Sequence, residues 1–319
     1  LSSQIYQTII GMYDIPKGAA LAVLLLIPAL LMFFAHKALS ARMSFASVGA
    51  KGSSRHREVR HRGVQIAALI FVGAIPLVIC LQYATILAGA STQLFGINYG
   101  FTTKHFVAAL TKSRGALLDT LILGVVASFL SVMLGVLIAW VVARTRVRGG
   151  SLLDFTANLP LAIPGTVIGL AFGLAFNSPP LLLTGTAAII VAAFVVRSLP
   201  YGIRSGVAAL NQINRTLDEA STTMGATSGQ TLWRVLLPII QPALLAGMIF
   251  SFTRSVTTLS AVIFVVSPHW SLVTPTILSQ MDRGDVGEAA ALSVIVVVMV
   301  LAVIHGVPRL LGGDWRETR

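Results

Sequence analysis

Glu219-Ala220-Ser221-x3-Gly225-x9-Val235-x-Leu237-Pro238 is a polar, helix-sized insert in a chain that is otherwise mostly apolar. Just ahead of it, Thr216-x-x-Glu219 has capping-box spacing: the threonine oxygen accepts from the Glu219 amide while the glutamate reaches back. Leu217, Ala220 and Met224 follow at helical spacing, and Gly225 suits a left-handed stop. Thr227-x-x-Gln230 then opens a second helix, with Leu232, Val235 and Leu236 on one face before Pro238. The pattern predicts a short helix, a sharp turn and a second helix running into an apolar span. Ala220, Ser221, Gly225 and Ala226 are small, which keeps the turn thin enough to enter a groove on a partner. A plain surface hairpin capping the molecule satisfies the same spacing.

Around this insert the chain is 55% hydrophobic and only 11% charged, with mean hydropathy +0.86. A soluble domain carries about 25% charged residues, so most of this chain does not meet water. Apolar runs bounded by charges or turn residues give seven spans: 18–35, 64–89, 117–143, 153–176, 181–197, 239–265 and 289–311. Several approach or exceed the ~20 residues that a helix needs to cross a bilayer. They lack the period-2 alternation of a transmembrane barrel. The expected fold is therefore an all-α integral membrane protein.

The net charge of +12 would suggest nucleic acid for a soluble protein. Here its placement between spans explains it, and no nucleic-acid partner is expected. One set of connecting segments holds Lys37, Arg42, Lys51, Arg55, Arg57, Arg60 and Arg62, then Arg144, Arg146 and Arg148. Arg197, Arg204, Arg215, Arg234, Arg309, Arg316 and Arg319 complete it. The alternate set holds only Lys17, Lys104, Lys112, Arg114 and Arg283. Basic loops stay in the cytoplasm, so the first residues are expected outside, the last ones inside, and the Glu219 insert inside. The basic run with His56 and His61 is suited to orientation and to anionic membrane lipid. Cys80, the only cysteine, lies in a span, so neither a disulfide framework nor a cysteine metal cluster is available.

The first segment is similar to the last. A shift of 271 sets Leu1, Asp14, Ala19, Ala20, Leu21 and Val23 on Leu272, Asp285, Ala290, Ala291, Leu292 and Val294. Internal repeats are common in transporters. Residues 1–35 are accordingly expected to be the last helix of a preceding module, residues 36–63 a basic cytoplasmic linker, and residues 64–319 one six-span module. The insert occupies about 214–238 of that module.

Glu219-Ala220-Ser221-x3-Gly225-x9-Val235-x-Leu237-Pro238 resembles the EAA loop of binding-protein-dependent ABC transporter permeases, with Ser in the third position and Val for Ile. The resemblance implies a type I importer module in a bacterial inner membrane. Its loop helix would dock on an ATP-binding cassette subunit through Glu219, Ala220, Ser221 and Gly225, with Leu217 and Met224 on the same element. A solute-binding protein outside and a second permease module, fused N-terminally, are the other implied partners. Leu159–Thr166, Leu183–Thr186, Val196–Tyr201 and Leu259–Phe264 are similar to ferric-iron permeases, which are often fused pairs. Iron(III) is the implied cargo, with 2-aminoethylphosphonate, thiamine and sulfate as alternatives.

Within the spans, Pro160, Pro164, Gly165, Gly169 and Gly173 interrupt one helix, and two readings apply. Freed backbone groups are tolerated beside protein or a watery cavity, giving a bent, route-lining helix; small residues also serve close helix packing. Ser251, Arg254, Ser255 and Thr258, at i, i+3, i+4 and i+7, form a polar stripe. Intramembrane charge usually faces the interior of a bundle or a cavity. Arg254 either looks into the translocation route, where it attracts an anion or an anion-chelated metal, or is structural, pairing with Asp119 or a helix C-terminus. The histidines show no ligand spacing, so no metal site is assigned. No Gly-x4-Gly-Lys-Ser/Thr phosphate loop, HExxH or GxSxG occurs. This predicts no cofactor and no enzyme, with energy entering from a partner; an intramembrane receptor or enzyme is the alternative class.

Overall fold

A computed structural model describes residues 1–42, 62–145 and 147–310. The stretch containing His56 and His61 lies outside these, so the expected linker is described only at its edges. The described residues are mostly helical: α1 (Ser2–Tyr6), α2 (Ile15–Arg42), α3 (Arg62–Ser91), α4 (Lys104–Lys112), α5 (Arg114–Arg144), α6 (Gly150–Asn158) and α7 (Gly165–Ala175). There follow α8 (Ala187–Gln212), α9 (Thr216–Thr223), α10 (Ser228–Thr231), α11 (Leu237–Val256), α12 (Val273–Asp282) and α13 (Val286–Leu310). A hairpin of β1 (Thr92–Leu94) and β2 (Asn98–Phe101) joins α3 to α4.

Six helical segments are long and apolar enough to cross a membrane, and α6 with α7 passes the same test as a pair bent by 104°. The packing decides how to count that pair. A Cβ on Gly135 would meet the Gly202 backbone at 2.6 Å, and one on Gly206 would meet Ala139 at 2.8 Å. Contact positions thus rise together along α5 and α8, and the two helices run parallel. Parallel neighbours need a return crossing between them. Residues 147–186 hold it, so α6–α7 counts as a broken span and the described residues hold seven spans.

The α5–α8 crossing is the centre of the molecule. Gly135 and Gly202 bring two backbones into contact, the small-residue packing that replaces hydrophobic drive between helices in lipid. α11 runs antiparallel to both. Val132, Val136, Leu210, Leu232, Leu236 and Ile240 form the core at one end, and Leu123, Ile189, Ile190 and Phe194 the core at the other. Large apolar side chains of α2 and α3, such as Phe71 and Met32, point outward at 73% and 78% exposure. An outward apolar face of this kind suits hydrocarbon rather than water.

Three boundaries differ from those read in the sequence. The fifth span, expected to end at Arg197, continues as helix to Gln212. Arg197 and Arg204, read as charges of a connecting segment, are therefore helical and not loop residues. The sixth, expected to reach residue 265, stops at Val256 and continues as turns along α7. The fourth is bent at its prolines.

The likeness at a shift of 271 extends to backbone geometry. α12 and α13 begin 271 residues after α1 and α2. Tyr13 and Gly284, equivalent under the shift, both have positive φ, 55° and 84°. The following acids also match: Gly18 N donates to Asp14 O and Ala289 N to Asp285 O, each at 3.0 Å. α1 and α2 dock on α7, where Ile5, Ala22 and Leu170 are buried together with Phe264 beside them.

Candidate functional site

The Glu219 insert forms the expected helix-turn-helix. Gly225 has φ +81° with open space around it, so the backbone conformation rather than crowding requires glycine. The second capping box is complete: Gln230 N donates to Thr227 Oγ1 at 3.3 Å, and Thr227 N to Gln230 Oε1 at 2.9 Å. The first is not formed. Thr216 already lies inside α9, and its amide donates to Asn214 Oδ1 at 3.2 Å. Asn214 competes successfully because a short amide side chain reaches the backbone two residues on.

α9 is braced from beneath by Arg144 at the end of α5. Its Nη1 donates to Asp218 Oδ2 at 2.7 Å, and its Nη2 to the carbonyls of Ile213 (2.7 Å) and Leu210. One guanidinium therefore closes the end of α8 and fixes the first turn of α9. Sequence reading took Arg144 only as an orienting charge; nothing in its spacing disclosed that it meets Asp218, 74 residues away.

Glu219, Ala220 and Gly225 are exposed, as are Leu217 (41%) and Met224 (82%). Ser221 differs from these. It is buried, its Oγ lying 2.7 Å from Thr231 Oγ1 and donating to Asp218 O at 2.9 Å. It staples α9 to α10 instead of facing outward. The hairpin thus offers a thin apolar ridge of Leu217, Ala220 and Met224, with Glu219 beside it, on a stiff base.

The second cluster lies at the break between α6 and α7. Pro160 and Pro164 leave carbonyls without helical partners, and Arg197 Nη1 donates to Ile163 O at 3.1 Å and Pro160 O at 3.4 Å. Gly165 and Gly169 let the 260–264 segment approach: a Cβ on Gly169 would meet Ala261 O at 2.6 Å, and one on Gly165 would strike Ser260 Oγ. The prolines accompany the bend and the glycines serve close packing. Arg197 is ten residues into α8, about 15 Å along its axis, so the break lies beside the middle of that helix.

On α11, Ser251 and Ser255 are buried against α8. Ser255 Oγ lies 3.1 Å from Ser198 Oγ. Thr258 falls beyond the helix end and its Oγ1 donates back to Arg254 O at 2.5 Å. The expected four-residue stripe is therefore three helical positions and a capping turn. Arg254 does not pair with Asp119, whose Oδ2 accepts from Ser271 N at 3.2 Å. Among the described residues no three His, Cys, Asp or Glu side chains gather as metal ligands.

A family of binding-protein-dependent transport system inner membrane components matches residues 131–311, which contain both clusters. The ferric transport system permease protein FbpB of Actinobacillus pleuropneumoniae is 33% identical over 310 residues, 95% of this chain. The chain spans 45% of that relative's length. A putative 2-aminoethylphosphonate transport system permease protein, PhnV, of Salmonella paratyphi A is 29% identical over 233 residues, covering 72% of this chain and 88% of its own. A bacterial ABC transporter that imports the acidic polysaccharide alginate shares the fold, with TM-score 0.60 at 17% identity over 78% of this chain and 98% of the other. With more than half its length matched, spanning the hairpin and the broken span alike, the chain belongs to the binding-protein-dependent transport system inner membrane component family.

Proposed function

We propose that the chain is the membrane permease of an ATP-driven importer, with iron(III) as cargo, driven through the α9–α10 hairpin by an ATP-binding cassette subunit. The observation that carries the coupling is the braced hairpin. Leu217, Ala220, Met224, Glu219 and Gly225 are exposed at its tip, while Arg144 ties its base to α5 and α8. A partner that moves α9 thereby moves the ends of two spans that pack along the centre of the molecule. The ferric permease's likeness over 95% of this chain supports iron(III) as the cargo. The phosphonate permease, alike over less of it, supplies the second reading.

A second permease module is the remaining membrane partner, and α1–α2 are the tail of one fused ahead of this module. The equal starts, matching positive-φ residues and matching first-turn backbone bonds of α1–α2 and α12–α13 support this reading. A solute-binding protein delivers cargo on the outer side, where the first residues lie, and the last residues are cytoplasmic.

Co-expression of the chain with the ATP-binding subunit and the binding protein tests the proposal. ATP-dependent uptake of radiolabelled iron into vesicles is expected, with the ATPase co-purifying and being lost on Glu219→Arg. Uptake that continues without the ATPase defeats the reading. Uptake of 2-aminoethylphosphonate in place of iron replaces the cargo and leaves the mechanism standing.

A further inference from the structure

Arg197, on α8, holds two carbonyls of the broken span, Arg254 lies across from it on α11, and among the described residues neither arginine forms an ion pair. From Leu159 to Gln212 and from Leu237 to Met281 there is no Asp or Glu at all. Among the described residues the two ion pairs, Lys112–Glu288 and Arg144–Asp218, lie elsewhere. Ser198, next to Arg197, is bonded across to Ser255, next to Arg254, so the two arginines leave adjacent points of neighbouring helices. Two like charges at one depth repel, and both lose water there, so the arrangement costs stability unless something neutralises it.

The surrounding polar atoms point to the same need. Six buried side-chain N or O atoms lack a hydrogen-bond partner among the described residues. Five of them, Arg197 Nε, Arg254 Nε, Thr166 Oγ1, Ser251 Oγ and Asn158 Oδ1, belong to α6, α7, α8 and α11. The first four can donate a hydrogen bond, and Asn158 Oδ1 accepts one. Four donors, two of them cationic, against one acceptor are matched by oxygens that carry negative charge. A bare cation finds no favourable potential here. Arg197 is partly committed, because its Nη1 holds the Pro160 and Ile163 carbonyls. The Arg254 guanidinium makes no hydrogen bond to any described residue and is the freer of the two.

We propose that Arg197 and Arg254, with the Thr166 and Ser251 hydroxyls, form an anion-binding station in the translocation route. Cargo passes it as an oxyanion or as a metal ion enclosed in anionic ligands. The proposal rests on the importer reading and names the charge class of what that importer carries. Arg254 makes the contact with cargo, and Arg197 positions the break beside it.

The test uses the whole transporter in lipid nanodiscs, without ATP, and equilibrium retention of radiolabelled inorganic phosphate and radiolabelled ferric citrate. Saturable retention of at least one probe is expected. It should fall tenfold or more in Arg254→Gln, further in Arg254→Glu, and stay within threefold in Arg254→Lys. Co-purification of the ATPase by each variant reports that it has folded. Retention of neither probe by the unaltered transporter overturns the proposal. So does equal retention by Arg254→Glu, or faster uptake of iron by that variant, which would mark the cargo as a bare cation. Failure of the importer reading appears separately, as absence of ATP-dependent uptake by the unaltered protein.

Discussion

Arg144 and Arg254 are the same side chain in opposite circumstances. Arg144, at the end of α5, has its donors on one carboxylate and two carbonyls, all supplied by the chain itself. Arg254, near the end of α11, has a buried Nε without a partner and forms no ion pair among the described residues. A guanidinium whose partners all lie within the fold braces that fold. One that is left short is costly to keep, and the natural partner is then something the chain does not contain. In the function proposed above, the first belongs to the coupling hairpin and the second to the proposed anion station.

The sharpest way to break the comparison is Arg144→Met. It strands Asp218 and two carbonyls, and removing one member of a largely buried charged pair costs about 3 kcal/mol. A lower unfolding temperature in detergent and faster amide exchange over residues 213–225 are expected. An unchanged exchange rate there shows that α9 does not depend on the brace. Gly169→Val comes next, since its new atoms meet Ala261 O at a distance no side chain adopts. Overpacking of this kind costs about 1–3 kcal/mol, read by denaturation in detergent.

Gly225→Val forces a β-branched residue to φ +81°. A loss of about 2 kcal/mol is expected to be confined to the hairpin, with ATPase association weakened and the spans unaltered. Thr227→Ala removes one arm of the capping box and costs about 1 kcal/mol, measurable as faster exchange at Gln230. Smallest in stability and largest in consequence for coupling is Glu219→Arg. An exposed surface change stays within about 0.5 kcal/mol, yet co-purification of the ATPase should fall more than tenfold. A stable variant that still binds its partner would make the hairpin a mere cap on the bundle.

Much of this was legible in the chain. Runs of apolar residues report spans because lipid leaves them no other environment, and all seven expected runs correspond to helical segments. Gly225 and the Thr227-x-x-Gln230 box were legible because turn and cap chemistry act within four residues. The Thr216 box failed for the same local reason, as Asn214 offers an equally short alternative. Arg197 was misread as a loop residue because a charge that bounds an apolar run resembles a span end. Its partners, Ile163 and Pro160, lie 34 and 37 residues away and have free carbonyls only after the α6–α7 bend forms. Ser221 carried the right motif position yet turned inward, because only packing of α10 brings Thr231 to it.

Local order and solvent preference were therefore settled by residue type alone: which stretches cross lipid, where the hairpin turns, and that it must reach water. The assembled molecule decided what no neighbouring residues can determine, namely which arginine is satisfied and which is left wanting. Hydrogen-bond partners for a long side chain come from wherever other helices place carbonyls and carboxylates. That placement exists only once α5, α8, α11 and the broken span have packed together.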